Sequence, residues 1–412
     1  MDCEDSEGQT INRRNYVTLL FRRLSSGFFN GLSQQFVDLY TVGVGISVSS
    51  LGSIRSLALL SSALVSSLIG YLADIVSRKT AYIIGMIIEA ASAAAFALAF
   101  NWFLAALGLV LTTVSFNAIM GLEALILTES TRERQRAFSI GIADSLYMLA
   151  SVIAPLIAAL LVNRFGGLKV EGIRPLFIIQ VIGLTVTLVI SSFILVEPRS
   201  KRAKQGLNQM VRDSVLVFKR PWLRRWVVIE ILGRYVFAST IPYQIIYAVE
   251  VKGADEFIIG YMGFVANLAT LAFSPIIGKA ADKLGRVKTV VILRPLFYIS
   301  TLMFLLASSP EHLILAWFIR GVWMASRTPF QALTMELVPS EMRGRWMGVR
   351  NFLSLTLGIP APWLGGIMYE SLFPEAPFLA SMLIDALLRY PLIYATPETL
   401  NREEYLRKYS KK

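Results

Sequence analysis

Ionisable side chains stand inside otherwise apolar stretches of this sequence at Asp38, Glu89, Glu123, Glu230, Arg234, Arg320, Arg327, Asp385 and Arg389. A charge at the centre of a hydrocarbon layer costs at least roughly 2.5 to 3.5 kcal/mol, so each needs a cavity or a partner and is a functional candidate. Two kinds of chemistry follow. A buried carboxyl gains affinity for protons and can load and unload one in each cycle of a proton-coupled device. Buried guanidiniums can hold an organic anion. Arg320 and Arg327 are seven residues apart, hence nearly on one helical face, and suit an anionic group; pairing with an acid such as Glu123 is the alternative. Glu230 with Arg234, and Asp385 with Arg389, are each one helical turn apart and are expected to neutralise one another.

Other chemistries are excluded by what is missing. Cys3 is the single cysteine and His312 the single histidine. The usual zinc and haem ligand sets and a cysteine-histidine pair are therefore out of reach, and no metal or cofactor is expected. No nucleophile-base constellation points to an enzyme, and no phosphate-cradling loop points to ATP use. The net charge of +12 does not signal nucleic acid, because Lys and Arg alternate between loops and form no continuous face. The polar first thirteen residues lead into no removable signal peptide.

The elements that must carry these residues are membrane helices. Of the 412 residues 55% are hydrophobic and 17% charged, with a mean hydropathy of +0.59, a composition written for lipid. A helix crosses the hydrocarbon core with roughly 20 apolar residues. Twelve such spans can be drawn, at 15–45, 48–75, 80–100, 102–129, 137–163, 174–197, 223–250, 256–281, 287–308, 312–337, 345–372 and 376–397. Arg13, Arg14, Arg22 and Arg23 are read as preceding span 1, Arg78 and Lys79 follow span 2, and Arg132, Arg134 and Arg136 follow span 4. The positive-inside rule then places both termini in the cytoplasm. The domains expected are six-helix bundles at 1–197 and 223–398, a basic linker at 198–222 and a tail at 399–412. In the linker Leu207, Met210, Val211, Val215 and Phe218 share a helical face, as an interfacial amphipathic helix requires; a solvated linker is the alternative.

One pattern is written twice. Gly70-Tyr-Leu-Ala-Asp74-Ile-Val-Ser77-Arg78-Lys79 recurs 208 positions later as Gly278-Lys-Ala-Ala-Asp282-Lys-Leu-Gly285-Arg286-Val287-Lys288. Glu129, Arg136 and Gly141 recur 207 positions later as Glu336, Arg343 and Gly348, and Ala154-Pro155 with Ala158-Ala159 as Ala361-Pro362 with Gly365-Gly366. A unit of six spans preserves orientation, so the halves are parallel repeats. Gly70 and Gly278 let a neighbouring helix approach one turn before each Asp, and a carboxylate there favours the unpaired N–H groups of a helix start. The prolines and small pairs favour bends and close packing.

The repeated loop resembles the signature of the major facilitator superfamily, over essentially the whole chain. Ser77 stands where that family usually has Gly, and Val287 where a second basic residue is common. The resemblance implies an all-α integral membrane fold with twelve transmembrane helices in two parallel six-helix repeats and cytoplasmic termini. It also implies a cytoplasmic gate and acid-arginine network of Asp74, Arg78, Glu129, Arg136, Asp282, Arg286, Glu336 and Arg343. In this family spans 1, 4, 7 and 10 line the cavity, which ranks Asp38 and Glu123 for proton coupling and sets Glu89, on the usually peripheral span 3, behind them. Arg320, Arg327, Arg234, Gln34, Asn117 and Gln331 become the substrate-binding set, with Asn30, Gln35, Tyr235 and Gln244 as further polar lining. The Gly365-Gly366 stretch resembles one that the family's proton-driven exporters carry in span 5, a lean toward efflux.

The expected function is secondary active transport of a small organic solute across the plasma membrane by alternating access, coupled to protons. Organic-anion uptake and facilitated diffusion are the alternatives within transport, and a non-transporting receptor is the alternative of another class. The partners expected are the lipid bilayer, the solute and protons, with no nucleic acid and a monomeric chain.

Overall fold

The computed structural model describes residues 12–75, 77–131, 135–197, 221–338 and 343–400, with the backbone alone at 66–75, 136–137, 221–222 and 344–345. The expected amphipathic linker helix lies outside the described residues, as do most of the C-terminal tail, Arg132 and Arg134.

Among the described residues the regular structure is helical. The first half holds α1 (Arg13–Gln34), α2 (Val37–Gly43), α3 (Val48–Ile75), α4 (Arg78–Ala97), α5 (Trp102–Glu129), α6 (Arg136–Arg164) and α7 (Val170–Ile194). The second holds α8 (Pro221–Ala238), a 3₁₀ turn at Ile241–Tyr243, α9 (Gln244–Glu250), α10 (Glu256–Leu284), α11 (Arg286–Leu305), α12 (Glu311–Met324) and α13 (Arg327–Glu336). It ends with α14 (Arg343–Leu357), α15 (Pro360–Ser371), α16 (Ala376–Ile384), a π-helical turn at Asp385–Arg389 and α17 (Tyr390–Tyr394).

Nine helical stretches among the described residues are long and apolar enough to cross a membrane. Expected spans 1, 7 and 10 are the ones that do not qualify, and the sequence shows why. Span 1 is divided into α1 and α2 at Gln35–Phe36, and α1 carries Arg13, Arg14, Arg22 and Arg23. Span 7 breaks before Pro242 and span 10 before Pro329, where a ring without an N–H cannot continue the ladder from the preceding turn.

Contacts divide the chain into two units. One takes 12–47, 57–197 and 255–260; the other takes 48–56, 221–254 and 261–400. In the first, α1 packs along α6 and α7, and α4 along α5 and α7. The α1–α6 approach depends on Gly27, where a Cβ would come within 2.3 Å of the Tyr147 carbonyl oxygen. An apolar core of Leu19, Tyr82, Met86, Ile119, Leu122 and Ile126 fills this unit. The second unit is centred on Trp226, Ile229, Val290, Leu333, Trp346 and Ile393. There the small pair after Pro362 has its expected packing role: a Cβ at Gly365 would meet the Ser239 carbonyl oxygen at 2.2 Å.

Many large apolar side chains are exposed among the described residues. Ile178, Ile182, Val186, Val189 and Phe193 form an exposed stripe along α7, with Phe193 81% accessible. A water-soluble protein hides such a stripe, whereas a lipid-facing helix needs it.

Candidate functional site

α1 is built inside out. Its buried face carries Asn15, Thr18, Arg22, Ser26 and Ser33, while Val17, Phe21 and Leu24 are exposed. Arg22 Nη1 donates to Glu123 of α5 at 2.7 Å, and its Nη2 donates to Glu89 of α4 at 2.9 Å. The Arg23 guanidinium lies 3.0 Å from the other Glu123 oxygen and 3.5 Å from Asp144 of α6. Asn30, two turns beyond Arg22, donates to the free Glu89 oxygen at 2.9 Å and accepts from Gln180 of α7 at 2.9 Å. Arg22 also lies over the Tyr82 ring, 5.8 Å from its centroid. Two arginines thus balance two glutamates, Glu123 buried and Glu89 half-buried, and five helices meet on one polar cluster. Such a cluster is costly to assemble, and removing a single member leaves an uncompensated charge.

From sequence Arg22 and Arg23 read as preceding span 1 and marking its topology. Instead they lie in the middle of α1, Arg22 buried and Arg23 half-buried, both ion-paired, because each guanidinium faces an acid on a neighbouring helix. Glu123 is therefore partnered within its own unit, not by Arg320 or Arg327. Glu89, set behind it from sequence, is an equal member of the network.

The twice-written loop makes matching structures in the two units. At the start of α4, Ser77 accepts from Thr80 N at 3.0 Å and donates to Glu197, whose carboxylate also accepts from the backbone N–H groups of Arg78 at 2.9 Å and Lys79 at 3.0 Å. At the start of α11, Glu398 accepts from the N–H groups of Arg286, Val287 and Lys288 at 2.7, 3.0 and 3.3 Å. Gly285 enters this turn with φ +108°, and a Cβ there would collide with the Glu398 carboxylate at 2.3 Å. A carboxylate on the unpaired donors of a helix start satisfies them and the helix dipole together.

Arg78 pairs with Glu129 at the end of α5, and Arg286 pairs with Glu336 at 3.3 Å and with Asp282. Thr399 adds a 2.5 Å hydrogen bond to Glu336. The expected acid-arginine network is thus present for these residues. Two details differ from expectation. The carboxylates seated on helix starts are Glu197 and Glu398, while Asp282 is held by Arg286 one turn away. Arg343 opens α14 with no carboxylate partner among the described residues. The side chains of Asp74 and Arg136 are outside those described.

Replacing Glu398 by Ala removes one acceptor from three backbone donors and should cost about 1 kcal/mol, within the range of lost helix caps. A thermal unfolding curve of the purified variant measures it.

The second unit has its own buried charge cluster. Asp385, on the π-helical turn, accepts from Arg294 of α11 through Nε at 2.6 Å and through Nη2, from Tyr298 at 2.7 Å and from Arg389 at 3.3 Å. Arg389 also donates to the Ile229 carbonyl at 2.9 Å. The extra positive charge lies among rings: Phe297, Trp323 and Phe237 stand 5.2, 5.3 and 6.0 Å from the Arg294 guanidinium, and Phe330 stands 5.4 Å from that of Arg389. The expected Asp385–Arg389 pair is present, with Arg294 as the stronger partner.

The expected Glu230–Arg234 pair is not formed. Glu230 accepts from Arg350 of α14 at 2.7 Å, and Arg234 donates to Ser354, one turn further along α14, at 3.2 Å. The packing of α8 on α14 explains the exchange, since a Cβ at Gly358 would fall 2.9 Å from that of Arg234. Arg327 is exposed at the start of α13. Arg320 stands over the Trp317 ring at 5.3 Å, without a carboxylate partner among the described residues. The break at Ala325–Ser326 lies between these two arginines, so their seven-residue spacing does not make one continuous helical face. Gln331 and Gln34 are exposed, Asn117 donates within α5 to Thr113 at 3.0 Å, and Asp38 lies half-buried in the first turn of α2.

The sequence profile described as the Major Facilitator Superfamily matches residues 19–255 and 227–403. The chain belongs to the major facilitator superfamily. A relative from Lactococcus lactis named as a homologue of the multidrug resistance efflux pump PmrA is 24% identical over 413 residues, covering 96% of this chain and 98% of the relative. The multidrug resistance protein MdtG of Yersinia enterocolitica is 25% identical over 410 residues, covering 95% and 96%. Among solved structures, a D-xylose-proton symporter is similar with a TM-score of 0.71 at 16% identity, covering 94% of this chain and 98% of that one. The nucleoside transporter NupG is similar with a TM-score of 0.71 at 14% identity, covering 93% and 100%. These likenesses show the fold. As a major facilitator protein the chain is a multi-pass membrane transporter of small molecules and not an enzyme.

For this superfamily member the cluster of Arg22, Arg23, Glu89, Asn30, Glu123 and Gln180 is the largest departure from the sequence reading. One signal could have found it. Arg22, Ser26 and Asn30 recur every fourth residue, marking a polar helical face that is unfavourable toward lipid and hence turned inward.

Proposed function

We propose that this transporter is a proton-coupled exporter of a small organic solute, working by alternating access across the plasma membrane. In this reading it has twelve spans, cytoplasmic termini and a monomeric state. The observation that carries the coupling is Arg22 bridging Glu89 and Glu123. Proton uptake by either glutamate would free one arm of the guanidinium and change which helices it ties together, the kind of proton-dependent contact a coupled cycle needs. Asp38 is the second candidate for coupling. Efflux is supported by the relatives named as multidrug resistance proteins. Purified protein in liposomes, with and without an imposed pH gradient, tests this: solute flux should follow the gradient, and flux indifferent to it overturns the coupling.

The duplicated loops act as the cytoplasmic gate in this proposal, through Asp74, Arg78, Glu129, Arg136, Asp282, Arg286, Glu336 and Arg343. Asp74→Asn should slow turnover while leaving membrane insertion unchanged. Liposome flux of that variant equal to wild type would remove the gating role.

A further inference from the structure

The polar cluster of the first unit has a third acid at its edge. Asp144 is the one carboxylate of the apolar span Phe138–Arg164, and it lies 3.5 Å from Arg23. Its side chain is 57% accessible, against 17% for Arg23 and 1% for Glu123. A carboxylate cannot be turned to hydrocarbon at acceptable cost, so Asp144 borders water. Ser145 beside it and Gly141 one turn before it are exposed as well, and a Cβ at Gly141 would meet nothing within 4 Å.

Glu123 is the shared acid of the cluster: one of its oxygens accepts from Arg22, and the other lies 3.0 Å from Arg23. Each arginine also has an acid of its own, Glu89 at 2.9 Å for Arg22 and Asp144 at 3.5 Å for Arg23. Three carboxylates thus face two guanidiniums, one negative charge in excess. The other groups bordering them are amides and phenols: Asn30 of α1, Tyr82 of α4, Tyr147 of α6 and Gln180 of α7. A proton added to Glu123 removes the excess and leaves Arg22 with Glu89 and Arg23 with Asp144. Glu89 is the poorer acceptor of that proton, because its second oxygen already accepts from Asn30. Without Asp144, a proton on Glu123 would leave Arg23 with no carboxylate, the costly case of a charge stranded away from water.

Resting on the proton-coupled reading, we infer that Asp144 is a positioning residue of the coupling site, the acid that takes over Arg23 when Glu123 takes up a proton. The proton comes from water and adds to a Glu123 oxygen. Arg23 then stops tying α1 to α5 and ties it to α6 alone, while Arg22 keeps its tie to α4.

Glu123→Gln copies the protonated acid and isolates this exchange. Thermal unfolding of the full chain in phosphatidylcholine nanodiscs compares it with Asp144→Asn and with the double variant. Each single variant should unfold within a few degrees of the wild type, because every guanidinium keeps a carboxylate. The double variant should lose roughly twice the sum of the two single losses or more, since Arg23 has then lost both partners. Asp144→Glu in the Glu123→Gln background should recover most of that loss; packing alone predicts the reverse, because Asn is closer to Asp in shape than Glu is. Additive losses, a Glu at 144 no better than Asn, or a Glu123→Gln chain that does not fold overturns the inference and leaves proton coupling to Glu89 or Asp38. Solute flux indifferent to an imposed pH gradient, with the more-than-additive loss present, would instead overturn the coupling and leave the exchange of partners standing.

Discussion

Arg22→Met is expected to lower the unfolding free energy by about 3 to 5 kcal/mol, the cost typical of stranding buried charge. Methionine keeps a long unbranched side chain and removes the charge, so the loss is chiefly electrostatic. It leaves Glu89 with Asn30 and leaves Glu123 with Arg23 alone. Both acids are nearly dry, with side-chain accessibilities of 12% and 1%. Thermal unfolding in detergent measures the loss, and adding Glu89→Gln to Arg22→Met should restore part of it, because one stranded charge is removed. A wild-type unfolding curve for Arg22→Met would show that the cluster is not held by this guanidinium.

Asp385→Asn should be about as damaging, for the opposite reason. It leaves Arg294 and Arg389 facing each other in a site where the aspartate side chain is fully buried. The rings around them offset part of the charge, at about 0.5 to 2 kcal/mol each where desolvated, but cannot replace a carboxylate that accepts from both guanidiniums. The paired exchange Asp385→Leu with Arg294→Met should be milder than Asp385→Asn, since it removes one charge of each sign and strands Arg389 alone. If the double variant is the worse of the two, the site is stabilised by packing of the Arg294 stem and not by charge.

What could be read beforehand followed the distance along the chain over which each feature is encoded. The spans are local runs of apolar residues, and the duplicated loop is a local pattern compared with its copy, so the helical membrane fold and the Arg78–Glu129 and Arg286–Glu336 pairs were legible. Charge partners are encoded by packing between distant helices. Arg22 meets acids 67 and 101 positions away, and Arg294 meets one 91 positions away. Outside the duplicated loops, neighbours at one helical turn are the partners a sequence makes visible, which is why it matches Glu230 to Arg234 in place of Arg350. Glu197 and Glu398 were hidden in the same way, reaching helix starts 119 and 112 positions away. Each stands beside a proline after its six-helix half, at Glu197-Pro198 and Pro397-Glu398, and reads from sequence as a loop end.

The chain's central property in this account is that solute and proton movements are one process. Proteoliposomes loaded with pyranine, buffered weakly and shunted with a potassium ionophore, report it when a gradient of a transported solute is imposed. Wild-type protein should move protons opposite to the solute, and Glu123→Gln should carry solute with little proton movement. Solute flux in the wild type with no change in internal pH would contradict the account.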